Sequence, residues 1–141
     1  MDSKTILLVE DNPDDELLTL RALKKHKIAN PVIVAHDGQE AVDYLFDSGK
    51  RLPSIILLDL KLPKISGLEV LKRLRANART ELVPVIILTS SNQNSDLLAG
   101  YKLGCNSYIR KPVDFDKFVD AVGQLGLYWL IINEQPPLGP K

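Results

Sequence analysis

Four short apolar runs recur along the chain: Ile6–Val9, Val32–Ala35, Ile55–Leu58 and Val85–Leu88. Each is too short for a helix, mostly β-branched and unbroken rather than alternating. Such runs predict strands covered on both faces, as in a parallel sheet. The segments between them carry helical periodicity instead. Leu17, Leu20, Arg21 and Lys24 outline a first helix, with Leu18 and Ala22 beside them. Ala41, Val42 and Leu45 mark a second, and Val70, Leu71 and Leu74 a third. A fourth, shorter helix is predicted over Ser95 to Leu103, ending at Gly104 as a left-handed cap. Asn106 to Arg110 read as a fifth strand, followed by a helix beginning near Asp114. Strand and helix thus alternate five times, which predicts a doubly wound α/β domain. Glu134 to Lys141 hold three prolines and a glycine and are expected to be irregular.

Composition narrows this picture without redirecting it. A chain of 141 residues fits one domain with a core large enough to need no staple. Lys plus Arg and Asp plus Glu both number 18, so no global field draws the protein to nucleic acid or an anionic membrane. One cysteine, Cys105, permits no internal disulfide and suits a reducing compartment. The residues after Met1 lead into a four-residue apolar run, too short for a signal peptide, and no stretch approaches a membrane span. The expectation is a cytoplasmic, single-domain protein.

Functional groups of open α/β sheets gather beyond the carboxyl ends of the strands. The first run ends in Glu10-Asp11, the third in Asp59, the fourth in Thr89-Ser90 and the fifth in Lys111-Pro112. Three carboxylates, a hydroxyl and a lysine would then meet in one crevice. Asp14, Asp15 and Glu16 are read differently, as first-turn acids complementing a helix dipole. Carboxylates held out of water need a cation. Oxygen donors without Cys or His nearby point to Mg2+ or Mn2+. Beside such an ion a carboxylate such as Asp59 can attack a phosphoryl group, with Lys111 and Thr89 meeting its oxygens.

These residues fall in four motifs: Leu8-Val9-Glu10-Asp11-Asn12, Leu57-Leu58-Asp59-Leu60-Lys61-Leu62-Pro63 with Gly67, Leu88-Thr89-Ser90, and Tyr108-Ile109-Arg110-Lys111-Pro112. In this order the set resembles the receiver domain of two-component response regulators. The resemblance implies a flavodoxin-like fold of five parallel strands and five helices, in the strand order 2-1-3-4-5. It implies that Asp59 is the phosphoacceptor. Asp11, Asp59 and the backbone carbonyl of Lys61 would ligate the metal, with Glu10 acting mainly through water. Thr89 would be the switch hydroxyl, Lys111 the phosphate partner and Tyr108 the aromatic that rotates as Thr89 moves. The Lys111-Pro112 bond would be cis. A sensor histidine kinase would donate the phosphoryl group, and the signal would pass on by protein–protein contact rather than through a small-molecule product. Ser90 stands where alanine or glycine is commoner. Lys61 and Ser91 stand at positions that tune phosphoryl lifetime, and a second cation at Lys61 predicts a long-lived phosphoryl state.

The receiver is expected over residues 1–126, with 127–141 as a helical extension and Pro-rich tail. No output domain, helix-turn-helix or basic patch is expected after it, and hence no nucleic-acid partner. Residues 127–137, with the Asn12-Pro13 start, resemble the small regulators paired with bacterial phytochromes, especially in cyanobacteria. Phe115, Phe118, Val119, Val122, Leu125, Trp129 and Ile132 share one helical face, yet Leu127, Tyr128 and Ile131 project elsewhere. That surplus apolar area predicts a homodimer through the fourth helix, fifth strand and fifth helix, the alternative being that residues 127–133 fold back over the domain as an irregular tail. His26 is read as a helix-end residue, His36 as a loop residue and Cys105 as a packed one. Three alternatives stand beside the receiver. A flavodoxin-like cofactor carrier would need a phosphate loop where the chain has Glu10 to Asp15. An aspartyl phosphatase would want an acid where Lys61 stands. A phosphorylation-independent adaptor would keep the pocket idle.

Overall fold

The computed structural model describes residues 4–111 together with Lys117, Asp120 and Gln124. The elements run β1 (Ile6–Val9), α1 (Pro13–Lys25), β2 (Val32–Ala35), α2 (Gly38–Leu45), β3 (Ile55–Leu58), α3 (Gly67–Arg75), β4 (Val85–Thr89), α4 (Asn94–Lys102) and β5 (Ser107–Arg110). The five strands form one parallel sheet in the order β2-β1-β3-β4-β5, as the resemblance implied. Lys117, Asp120 and Gln124 are helical and exposed, in the stretch where a fifth helix was expected. Pro112, the aromatic face from Phe115 and the tail residues Leu127, Tyr128 and Ile131 lie outside the described residues.

The unbroken apolar runs follow from two cores, one on each face of the sheet. Leu7 and Val9 of β1 join Ile56, Leu58, Val85 and Ile87 in a core closed by Ala41 and Leu45 of α2 and Val70, Leu71 and Leu74 of α3. Ile6 and Leu8 face the other way, with Ile55, Leu57, Ile86 and Leu88, under Ala22 and Leu23 of α1. Alternate residues of each central strand therefore serve opposite cores. The outer strands depart from this. Val32, Ile33 and Val34 of β2, and Ser107, Tyr108 and Ile109 of β5, are only half-buried, because an edge strand has a neighbour on one side alone.

The helix starts obey local chemistry. Asn12 caps α1, its side-chain oxygen accepting from Asp14 N at 2.9 Å and Asp15 N at 3.2 Å, with a proline opening the first turn. Asp37 and Ser66 cap α2 and α3 in the same way. Helix α4 begins one residue earlier than the periodicity predicted. It also ends one residue earlier, at Lys102, but the left-handed cap is as predicted: Gly104 has φ +96°, and Cys105 N donates to Gly100 O at 3.0 Å across it.

One half-buried arginine ties α3 to the sheet. Arg75 donates to Gly104 O from Nε (3.0 Å) and Nη2 (2.8 Å), and to Glu81 O and Val83 O from Nη1 (both 2.9 Å). Its Nη2 also reaches Asn106 Oδ1 at 3.2 Å, and that oxygen accepts from Val85 N at 2.8 Å. The planar fork of an arginine suits such converging carbonyls, and burial lowers its pKa from the ordinary value.

Candidate functional site

The sheet ladder continues one step past several strands and thereby positions the site. Val9 pairs with Leu58 in the β1–β3 register, so the residues that follow, Glu10 and Asp59, emerge side by side. Asp59 N donates to Val9 O at 3.1 Å, Glu10 N to Ala35 O at 2.9 Å and Lys111 N to Thr89 O at 2.7 Å. Three functional side chains thus leave from backbone that is hydrogen-bonded on the rigid sheet. Gly67 lets the loop after β3 close over this edge. A Cβ there would lie 2.2 Å from Asp59 O and 2.6 Å from Leu60 Cα, so no other residue fits without a shift.

Carboxylate oxygens of Glu10, Asp11 and Asp59 lie within 4.8 Å of one another. Glu10 is 2% exposed and Asp59 6%, whereas Asp11 faces solvent. Lys111, 7% exposed, sends its Nζ to Glu10 Oε1 at 2.6 Å, Asp15 Oδ2 at 3.1 Å and Asp59 Oδ2 at 3.7 Å. Backbone N–H groups add to this: Lys61 N donates to Asp59 Oδ1 at 3.2 Å and Asn12 N to Glu10 Oε2 at 3.2 Å. The Lys61 residue itself is exposed.

Four carboxylates around one ammonium leave the pocket net negative. Burial, aided by the Asp59 charge, raises the Glu10 pKa from 4.5 to about 7 against the pull of Lys111. For Lys111 burial works to lower the pKa. The hydrogen bond and charge of Glu10, then Asp59 and Asp15, outweigh it and hold the ammonium above its ordinary value. A small hard divalent cation fits Glu10, Asp11 and Asp59: the donors are all oxygen, and their excess negative charge lacks a counter-ion.

A second group of residues runs from the site toward α4. Thr89 is fully buried, and its Oγ1 accepts from Ser91 N at 3.3 Å. Ser91, also fully buried, donates from Oγ to Asp96 Oδ2 at 2.5 Å and accepts from Gln93 N at 3.3 Å. Tyr108 stacks on Tyr101 with ring centroids 6.4 Å apart. Its hydroxyl is buried and makes no hydrogen bond of good geometry among the described residues, although Ser91 stands near enough to oppose the rise in its pKa. Burial and the nearby Asp96 charge push its pKa up.

Of the predicted site residues among those described, Glu10, Asp11, Asp59 and Lys111 come together and Lys61 joins them through its backbone N–H, whereas Thr89 bonds Ser91 N and Tyr108 lies beside α4. Asp15 was assigned to the helix dipole, yet its carboxylate also reaches Lys111. Ser91 and Asp96 form a bond that the sequence did not announce. His26 is the C-cap of α1, as expected of a helix-end residue. His36, read as a loop residue, follows β2 and bridges Glu16 Oε1 at 3.0 Å and Glu40 Oε1 at 3.7 Å. Cys105 is packed, and burial raises its pKa. Among the described residues no helix is long and apolar enough to cross a membrane.

Comparison with known proteins places this geometry. The profile of the response regulator receiver domain matches residues 6–123. The probable methanogenesis regulatory protein FilR2 of Methanothrix harundinacea is 38% identical over 134 residues, covering 93% of this chain and 86% of its own. The response regulator Rcp1 of Synechocystis is 36% identical over 131 residues, covering 90% of this chain and 89% of its own. The Mn2+-bound crystal structure of Rcp1 superimposes with a TM-score of 0.87 over 95% of this chain and 99% of that one. The phosphorylated cyanobacterial phytochrome response regulator RcpA, 33% identical, gives 0.88 over 96% and 100%. The chain belongs to the response-regulator receiver domain family, a family of signalling proteins rather than classical enzymes.

Proposed function

We propose that the protein is a phosphorylation switch whose phosphoacceptor is Asp59. The observation that carries this is a carboxylate 6% exposed at the end of a central strand, grouped with two further acids and 3.7 Å from a buried ammonium. An Asp59 oxygen attacks the phosphorus of a phosphohistidine on a sensor kinase. The O–P bond forms, the P–N bond breaks, and the imidazole leaves and takes up a proton. Lys61 N, bonded to Oδ1, fixes which carboxylate oxygen faces the donor. Lys111 offers its charge to the equatorial phosphoryl oxygens. Glu10, Asp11, Asp59 and the Lys61 carbonyl are the groups that would hold Mg2+ or Mn2+. When bound, the ion neutralises phosphoryl charge and keeps the acids ionised together.

Charge added at Asp59 draws the Thr89 hydroxyl toward the site, and Tyr108 turns into the space released. A buried Tyr108 hydroxyl with no well-formed hydrogen bond supports a side chain that exchanges one setting for another. The resulting change reaches α4, where Leu98 (56% exposed) and Tyr101 (53%) form an apolar surface. We read that surface, with β5 and the following helix, as the homodimer face. Its shape would depend on the phosphoryl state. The donor is a histidine kinase in the cytoplasm, and the likeness to RcpA, a cyanobacterial phytochrome response regulator, favours a bacterial phytochrome.

Incubation with Mg2+ and acetyl phosphate should yield a species about 80 Da heavier by intact mass. Asp59→Asn should yield none. Absence of the adduct from the unaltered protein would favour an adaptor with an idle pocket. Phosphotransfer from a purified phytochrome kinase, set against an unrelated kinase, tests the partner.

A further inference from the structure

We infer that Asp15 is a positioning residue that orients the Lys111 ammonium toward the phosphoryl site. The inference rests on the assignment of Asp59 as phosphoacceptor. It comes from the way three donors are shared out. An ammonium has three N–H groups on a flexible four-carbon stem. Glu10 takes one at 2.6 Å, from the end of β1, and Asp15 takes another at 3.1 Å, from the first turn of α1. Asp59 lies 3.7 Å away, beyond hydrogen-bond length. The third N–H is thereby left facing Asp59, where an added phosphoryl oxygen could accept it.

Asp15 is suited to this because it is itself held. Its backbone N–H donates to Asn12 Oδ1 at 3.2 Å, in a turn whose first residue is Pro13. Asp14 supplies a natural control. It carries the same charge and the same cap bond, at 2.9 Å, but is exposed and is not among the ion-pair partners of Lys111. A residue that acted only through the helix dipole or the general field would behave like Asp14.

Acetyl phosphate saturation curves with Mg2+ separate these roles. Asp15→Ala should lower the maximal rate of adduct formation about tenfold, the scale of one hydrogen bond to a charged group. Asp14→Ala should stay within about twofold, and Asp15→Glu should recover most of the loss. The ammonium resonance of Lys111 in nitrogen-15 spectra should survive Asp14→Ala and be lost in Asp15→Ala through faster exchange. A fall in half-saturating acetyl phosphate with an unchanged maximal rate would mark Asp15 as mere repulsive charge and overturn the inference. Equal maximal rates for the two alanine variants would overturn it as well, while leaving Asp59 as phosphoacceptor. If the unaltered protein forms no adduct, the phosphoacceptor assignment fails and the inference falls with it.

Discussion

Replacing Glu10 by glutamine removes a carboxyl whose burial makes it titrate near neutrality, and the consequence for stability can be worked out. The folded-state pKa is raised from 4.5 to about 7, chiefly by desolvation. A raised pKa means that the folded state binds the proton more tightly than the unfolded chain. That stabilisation is complete below about pH 4.5 and is lost as pH rises through about 7. The full difference is worth about 3 kcal/mol at roughly 1.36 kcal/mol per pH unit. Most of it is lost between pH 5 and 8. Lys111, held above its ordinary value, stays charged across this window and adds no slope. The introduced amide would mimic the protonated acid and still accept from Lys111. The Glu10→Gln variant should therefore match the natural protein below about pH 4.5 and exceed it by about 3 kcal/mol at pH 8. For 141 residues at about 2.1 cal/mol/K each, that separates the melting temperatures by about 10 °C. Urea unfolding in EDTA, followed by circular dichroism at several pH values, measures the difference. Parallel stability curves for the two proteins from pH 5 to 8 would refute the reasoning.

Further outcomes follow from other parts of the structure. Mg2+ should raise the melting temperature most at high pH, by the equivalent of about 2.7 kcal/mol at a hundredfold excess over its Kd, and Asp11→Asn should remove most of that rise in a thermal-shift titration. Arg75→Met strips the donors from Gly104 O, Val83 O and Asn106 Oδ1. It should cost about 3 kcal/mol in urea unfolding, and a loss below about 0.5 kcal/mol would mean that water replaces the guanidinium at no penalty. Gly67→Ala must push its Cβ away from Asp59 O. A loss of about 1–3 kcal/mol is expected, together with slower acetyl phosphate labelling, because the displaced atoms belong to the acceptor residue itself.

Much of this protein was legible in order and period alone. Central strands must feed two cores, so their runs are continuously apolar, and an acid that ends such a run stands out. Glu10, Asp59, Thr89 and Lys111 were found in that way, because a strand's carboxyl end is a position that sequence marks. The same logic overstated β2. Val32–Ala35 reads like the central runs, but its edge place leaves it half-buried, and edge position depends on strand order rather than on the strand's own residues.

What only the tertiary structure decided are the partners that span the chain. Asp15 meets Lys111 across 96 positions, and Arg75 meets Gly104 across 29. No local period encodes either contact, since each depends on how one helix sits against a sheet assembled from distant segments. The register has the same origin: Val9 opposite Leu58 is what sets Glu10 beside Asp59. Local sequence decides which residues end a strand or open a helix, because caps and burial act over a few residues. Packing decides which of those ends share a crevice, and so which acids around Lys111 become a site.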